Sequence, residues 1–111
     1  MTRKEYHKYI QELKERGYGL SHNGYTDKKY YYKVLEYRDD GDGDIRGVCR
    51  LVFYLYEINN NNMFYSIEPV VLVSRNVDER LDFIISSPKH SIDEYERIAK
   101  EFIQWVDQIN L

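Results

Sequence analysis

From Gly17 to Pro88 the chain is crowded with tyrosine, valine, isoleucine and phenylalanine, interrupted by turn-forming residues at 26–29, 39–47, 59–62 and 76–79. Branched and aromatic side chains suit a pleated, half-buried backbone, whereas clusters of Asn, Asp and Gly break it. Five strands joined as an antiparallel meander are therefore expected. A helical signal stands on each side. Thr2 and Glu5 lie at capping-box spacing before Tyr6, Tyr9, Ile10 and Leu13, with Gly17 placed as a left-handed stop, which predicts a helix over 3–16. Ser91 and Glu94 repeat the device before Ile92, Tyr95, Ile98, Ala99, Phe102, Val106 and Ile109, predicting a second helix over 92–109 with Trp105 turned inward as its anchor. The fold class is α+β: an N-terminal helix, a five-stranded antiparallel meander and a C-terminal helix, the helices packed mainly on one sheet face.

With 111 residues the chain has the size of one domain, spanning 1–111, and can enclose one core. Apolar content of 42% rules out a disordered acidic tail, and a net charge of −3 gives no general attraction to nucleic acid or anionic lipid. No apolar run is long enough for a signal segment or a membrane span, so a cytoplasmic location is expected. Cys49, the single cysteine, sits within "GVCRLVFYLY" and reads as a small core hydrophobe.

Loop length decides which side chains share a sheet face. A four-residue turn at 59–62 puts Leu51, Phe53 and Leu55 with Val70 and Leu72, and puts Val52, Tyr54 and Tyr56 with Tyr65, Ile67 and Pro69. A four-residue turn at 76–79 keeps Val70 and Leu72 with Leu81, Phe83 and Ile85. The first hairpin, turning at 26–29, puts Leu20 with Leu35 and puts Tyr25 with Tyr30, Tyr32 and Val34. Pro69 signals an edge position or a bulge, which would displace half its strand by one residue. One face is thus aliphatic and phenylalanine-rich. The other carries Tyr25, Tyr30, Tyr32, Tyr54, Tyr56 and Tyr65 with Val52 and Ile67.

Chemistry-bearing motifs are few. The stretch "YRDDGDGDIRG" offers Asp40, Asp42 and Asp44 at calcium-loop spacing, yet Ile45 and Leu51 occupy the positions that need glycine and a bidentate glutamate. It reads as a turn, with weak adventitious Ca²⁺ or Mg²⁺ binding as the alternative. His7, His22 and His90 have no ligand-spaced partners, so no metal and no cofactor is expected. A small hydrolase would have to bring Cys49 to His22, without a nucleophile elbow to support it. A single-stranded nucleic-acid binder could stack bases on the tyrosines and draw charge from Lys28, Lys29, Arg38 and Arg50. Glu36, Glu57 and Asp82 fall in the same region, which argues against nucleic acid because phosphate contacts carry much of its affinity.

Six tyrosines and two aliphatics on one face exceed the apolar patch of about 400 Å² that a monomer exposes comfortably. A helix, a second copy of the chain or another protein should cover them. The expected function is a non-enzymatic protein-interaction module acting through Tyr25, Tyr30, Tyr32, Val52, Tyr54, Tyr56, Tyr65 and Ile67. Its partner is a protein or the same chain as a homodimer, in the manner of a small inhibitor, an immunity protein or a chaperone-like accessory protein.

Overall fold

The computed structural model describes residues 1–39, 45–60, 62–76, 79–85 and 90–108. Among them are two helices, α1 (Arg3–Glu15) and α2 (Ile92–Gln108), and the strands β1 (Gly19–His22), β2 (Lys29–Asp39), β3 (Ile45–Asn60), β4 (Asn62–Asn76) and β5 (Glu79–Ile84). The strands follow one another in the sheet in chain order, and the described pairings are antiparallel. The α+β class and the antiparallel sheet are as the sequence implies. The chain forms two compact units: Met1–Lys33 with Val52–Glu68, and Val34–Leu51 with Pro69–Leu111. Strands β2, β3 and β4 pass from one to the other. Asp39 still belongs to β2 and Ile45 already belongs to β3, while Asp40, Asp42 and Asp44 lie outside the described residues.

In the first unit α1 begins and ends as its sequence dictates. Thr2 Oγ1 accepts from the Glu5 amide at 3.1 Å, and Glu5 Oε1 accepts from the Thr2 amide at 3.2 Å, so two of the helix's orphan donors are satisfied reciprocally. At the other end the Tyr18 amide donates to the Leu13 carbonyl and the Gly17 amide to that of Lys14. This is a Schellman closure, and Gly17 adopts the φ of +86° that the motif demands. The closure delivers Tyr18 into the core next to the helix. Tyr6 and Leu13 are buried on the inner side of α1. Phe53 is met edge-on by Tyr9 at 5.9 Å and by Tyr18 at 5.5 Å, and Tyr6 lies 5.0 Å from Tyr65. Edge-on aromatic pairs add about 0.5–1.5 kcal/mol each beyond the area they bury.

Two register expectations in this unit are corrected. The first hairpin does not turn at 26–29. His22 stands opposite Lys29 and Leu20 opposite Tyr31, leaving 23–28 as a loop. Asn23 organises that loop: its side-chain oxygen accepts from the Tyr25 and Thr26 amides, and its backbone closes onto Lys28 and Asp27. Tyr25 is thereby an exposed loop residue rather than a strand partner of Tyr30. The displacement is even, so Leu20 still falls on the side of the odd-numbered β2 residues. The second correction has larger consequences. β3 continues to Asn60 and β4 starts at Asn62, a tighter connection than the expected four residues. Tyr65 is buried against α1, whereas Glu68 accepts a hydrogen bond from the Tyr56 hydroxyl. An odd change in turn length sends every side chain of the strand to the opposite face.

The second unit contains a register shift of its own. Near its tip Asn76 pairs with Glu79, as a turn at 76–79 would have it, but beyond Ser74 the alignment moves by one, giving Val73 opposite Leu81, Val71 opposite Phe83 and Val70 opposite Ile84. In the β4–β5 pairing this irregularity sits between Ser74 and Asn76, not at Pro69. Val70 and Leu72 therefore share a face with Asp82 and Ile84, not with Leu81, Phe83 and Ile85. Cys49, Leu51, Val71 and Val73 are fully buried, and the Cys49 thiol faces the Ser74 carbonyl.

α2 starts at Ser91, whose hydroxyl accepts from the Glu94 amide at 3.3 Å. The carboxylate of Glu94 turns to His90 Nδ1 instead, and His90 stands edge-on to Tyr95 with their centroids 5.4 Å apart. The buried residues are Ile92, Tyr95, Ala99, Ile103 and Val106. Ile98 and Phe102 are only half-buried, and Trp105 is 52% exposed, so it does not anchor the helix. Apolar residues occupy a wide arc of α2, and the part that packs is turned from the expected stripe so that Ile103 is buried while Ile98 and Phe102 lie at its border.

Two outcomes follow. Ile103→Ala should cost about 2–4 kcal/mol, as expected for truncating a buried isoleucine, while Trp105→Ala should cost under about 1 kcal/mol; urea unfolding reads both. Burial, and then the charge and hydrogen bond of Glu57, raise the pKa of the Tyr6 phenol well above its ordinary value. The unfolded chain releases that proton near pH 10 while the folded chain retains it, so stability should fall as pH rises above about 10. Tyr6→Phe should be about 1 kcal/mol less stable at neutral pH, having lost the Glu57 bond, yet show a shallower alkaline decline in chemical unfolding.

Candidate interaction surface

On the β2 and β3 portions of the first unit, alternation sends Tyr31 and Phe53 toward the core and Tyr30, Tyr32, Tyr54 and Tyr56 the other way. Those four rings are half-buried. Three of them touch: Tyr30 lies 6.0 Å from Tyr32 with the planes tilted, and 5.5 Å from Tyr54, which it meets edge-on. β1 ends its pairing with Gly19 opposite Tyr32, and the Tyr32 ring lies over that glycine, 3.6 Å from where a Cβ would stand. The ring covers backbone that would otherwise be bare on this side of the edge strand.

Lys28, at the end of the loop that Asn23 shapes, reaches back over the group. Its ammonium sits 4.8 Å from the Tyr54 centroid and 4.4 Å from that of Tyr56. A hydrogen bond with Tyr56 raises the lysine pKa against its desolvation, and the charges of Tyr56, Glu68 and Tyr54 add smaller contributions in the same upward direction. The Tyr56 hydroxyl donates to Glu68 Oε1 at 3.4 Å. The face thus combines four rings with one cation and one anion that offset each other locally. Strand alternation extends it toward the β3–β4 tip through Ile58 and Phe64, which are 48% and 55% exposed.

The residues singled out from the sequence are divided by the structure. Tyr30, Tyr32, Tyr54 and Tyr56 come together. Val52 shares their strand face but is fully buried. Tyr65 lies against Tyr6 of α1, and Ile67, two residues along, follows it to that side; Tyr25 projects from the loop. Sequence reasoning missed Ile58 and Phe64, which flank the "NNNN" tip, and it missed Glu68, whose place depends on the β3–β4 register. Lys28 was legible as a cation next to tyrosines but not as their cover.

The other candidates are placed as follows. Cys49 is buried in the second unit, and His22 is exposed on β1 in the first. Among the described residues no group of three or more His, Cys, Asp or Glu could hold a metal ion, and no helix is long and apolar enough to cross a membrane. Lys29 is exposed opposite His22, Arg50 is half-buried in the second unit, and the side chain of Arg38 lies outside the described residues. Compared with protein-family models, curated proteins and solved structures, the chain matches none.

Replacing the internal cation tests the arrangement. Lys28→Met should lower stability by about 0.5–1 kcal/mol at neutral pH, the usual worth of an exposed cation–π contact. The raised lysine pKa makes this contribution complete below the ordinary lysine range and lost as pH rises through the folded value. The difference between the two proteins should therefore shrink above about pH 10.4 when urea midpoints are compared at neutral and alkaline pH.

Proposed function

We propose that the chain is a non-enzymatic protein-interaction module whose docking face is the Tyr30, Tyr32, Tyr54 and Tyr56 surface, extended by Ile58 and Phe64. It works as a small inhibitor, immunity or chaperone-like accessory protein does, by occupying the surface of a partner, which is another protein or a second copy of the chain. The observation that carries this reading is the group of four half-buried tyrosine rings, three in mutual contact and the fourth joined to them through Lys28, beside two half-exposed apolar side chains. Tyrosine offers large contact area with few rotatable bonds and a hydroxyl that stays hydrated at an interface rim, which is why it concentrates in binding hot spots. Lys28 and Glu68 leave the face nearly neutral, so it approaches another surface without the repulsion that a chain of net charge −3 would otherwise impose.

The test places a photo-crosslinking amino acid at Ile58 and, as a control, at the exposed Glu12 of α1, in cells that produce the protein. Adducts with one discrete protein or with a second copy, formed from position 58 and lost in Tyr54→Ser/Tyr56→Ser, are expected. Equal crosslinking from both positions would defeat the reading. So would tight, steeply salt-dependent binding of a single-stranded oligonucleotide that the same double substitution abolishes, because the rings would then be stacking bases.

A further inference from the structure

α2 carries a second apolar stripe beside the one it buries. Ile98, Phe102 and Trp105 line a shallow groove along the helix together with Glu101. Their spacing, four residues and then three, is that of a coiled-coil seam, in which side chains on one helix fill holes on another. The inward stripe of Ile92, Tyr95, Ala99, Ile103 and Val106 already holds the helix to its unit. The outer stripe is less enclosed: Ile98 and Phe102 are half-buried, and Trp105 stands 52% exposed at its end. We infer that this stripe docks an amphipathic helix of another protein, one with apolar residues at heptad spacing and lysine or arginine flanking them.

Charge selects that occupant over the alternatives. The solvent-side flank of the stripe bears Glu94 and Glu101, seven residues apart on one line of the helix. α2 as a whole carries Asp93, Glu94, Glu96, Glu101 and Asp107 against Arg97 and Lys100. Both carboxylates have partners within the chain, Glu94 in His90 and Glu101 in Arg97 at 2.9 Å; the pairs are partly to fully exposed, so an incoming cation can exchange for either at little cost. A symmetric pairing of two α2 helices would bring the acidic flanks together, and an anionic lipid surface would repel them. A helix with basic flanks meets apolar with apolar and negative with positive. This surface is separate from the tyrosine face and does not depend on that proposal.

Trp105 is the sole tryptophan, so it reports on the stripe directly. The probe is an 18-residue peptide of leucine at heptad positions and lysine elsewhere, without tryptophan, titrated into the full chain. A saturable blue shift of Trp105 emission is expected, weakened by salt. Glu94→Lys/Glu101→Lys gives up the pairs with His90 and Arg97, so its melting midpoint should fall by a few degrees, and at a temperature where circular dichroism shows it fully folded it should bind at least tenfold more weakly, whereas Tyr54→Ser/Tyr56→Ser should bind as the parent does. A permuted peptide of the same composition and a leucine–glutamate peptide should each bind at least tenfold more weakly. The inference is overturned by the absence of a shift, by comparable binding of either control peptide, or by charge reversal without effect. A dimer in light scattering that Trp105→Ser dissolves would also overturn it, since the occupant would then be a second copy.

Discussion

A side chain on a strand has two faces open to it, and the number of residues in the preceding turn selects one. This parity constraint governs the molecule more than any single contact does. β3 and β4 are 16 and 15 residues long, so one residue more or less at their connection exchanges the faces of a whole strand. With β3 running to Asn60 and β4 starting at Asn62, Tyr65 lies against Tyr6 of α1 and Glu68 is turned toward Tyr56. The irregularity between Ser74 and Asn76 does the same for β5, leaving Ile84 and Asp82 exposed on the face of Val70 and Leu72.

Parity also divides the tyrosines by role. The strand residues Tyr31 and Tyr65 are buried and join Tyr6 of α1 and Tyr18 in the core, where Tyr6 lies against Tyr65 and Tyr18 meets Phe53 edge-on. Burying a large apolar side chain stabilises a fold by about 1.5–3 kcal/mol, provided the hydroxyl finds a partner, as Tyr6 does in Glu57. Tyr30, Tyr32, Tyr54 and Tyr56 face the other way and are only half-buried. One residue type supplies both populations because its ring is apolar and its end is not.

α2 shows the same economy in helical form. Its apolar residues span an arc wider than one packing face can use. Ile92, Tyr95, Ala99, Ile103 and Val106 are consumed by the core, and Ile98, Phe102 and Trp105 are left along its border. An apolar border with an acidic flank is a surface with directional preferences, distinct in chemistry from the nearly neutral tyrosine face.

Local interactions in this chain are legible from its residues alone. The capping box of Thr2 and Glu5, the Gly17 closure, the Ser91 cap and the alternation that marks the strands each depend on neighbours within about five positions, and each is found where the residues place it. Four of the eight residues assigned to the interaction surface, Tyr30, Tyr32, Tyr54 and Tyr56, do assemble. Tyr65 and Ile67 do not, and Phe64 was not foreseen, because the faces of β4 depend on a turn whose alternative lengths have similar local propensity; Ile58, by contrast, follows Tyr54 and Tyr56 by the alternation of β3 alone. The inward turn of Ile103 and the outward turn of Trp105 are decided likewise, by which arc of α2 fits its unit. Local preference separates helix from strand by several small terms that add; adjacent registers differ by almost nothing locally, so long-range packing chooses between them.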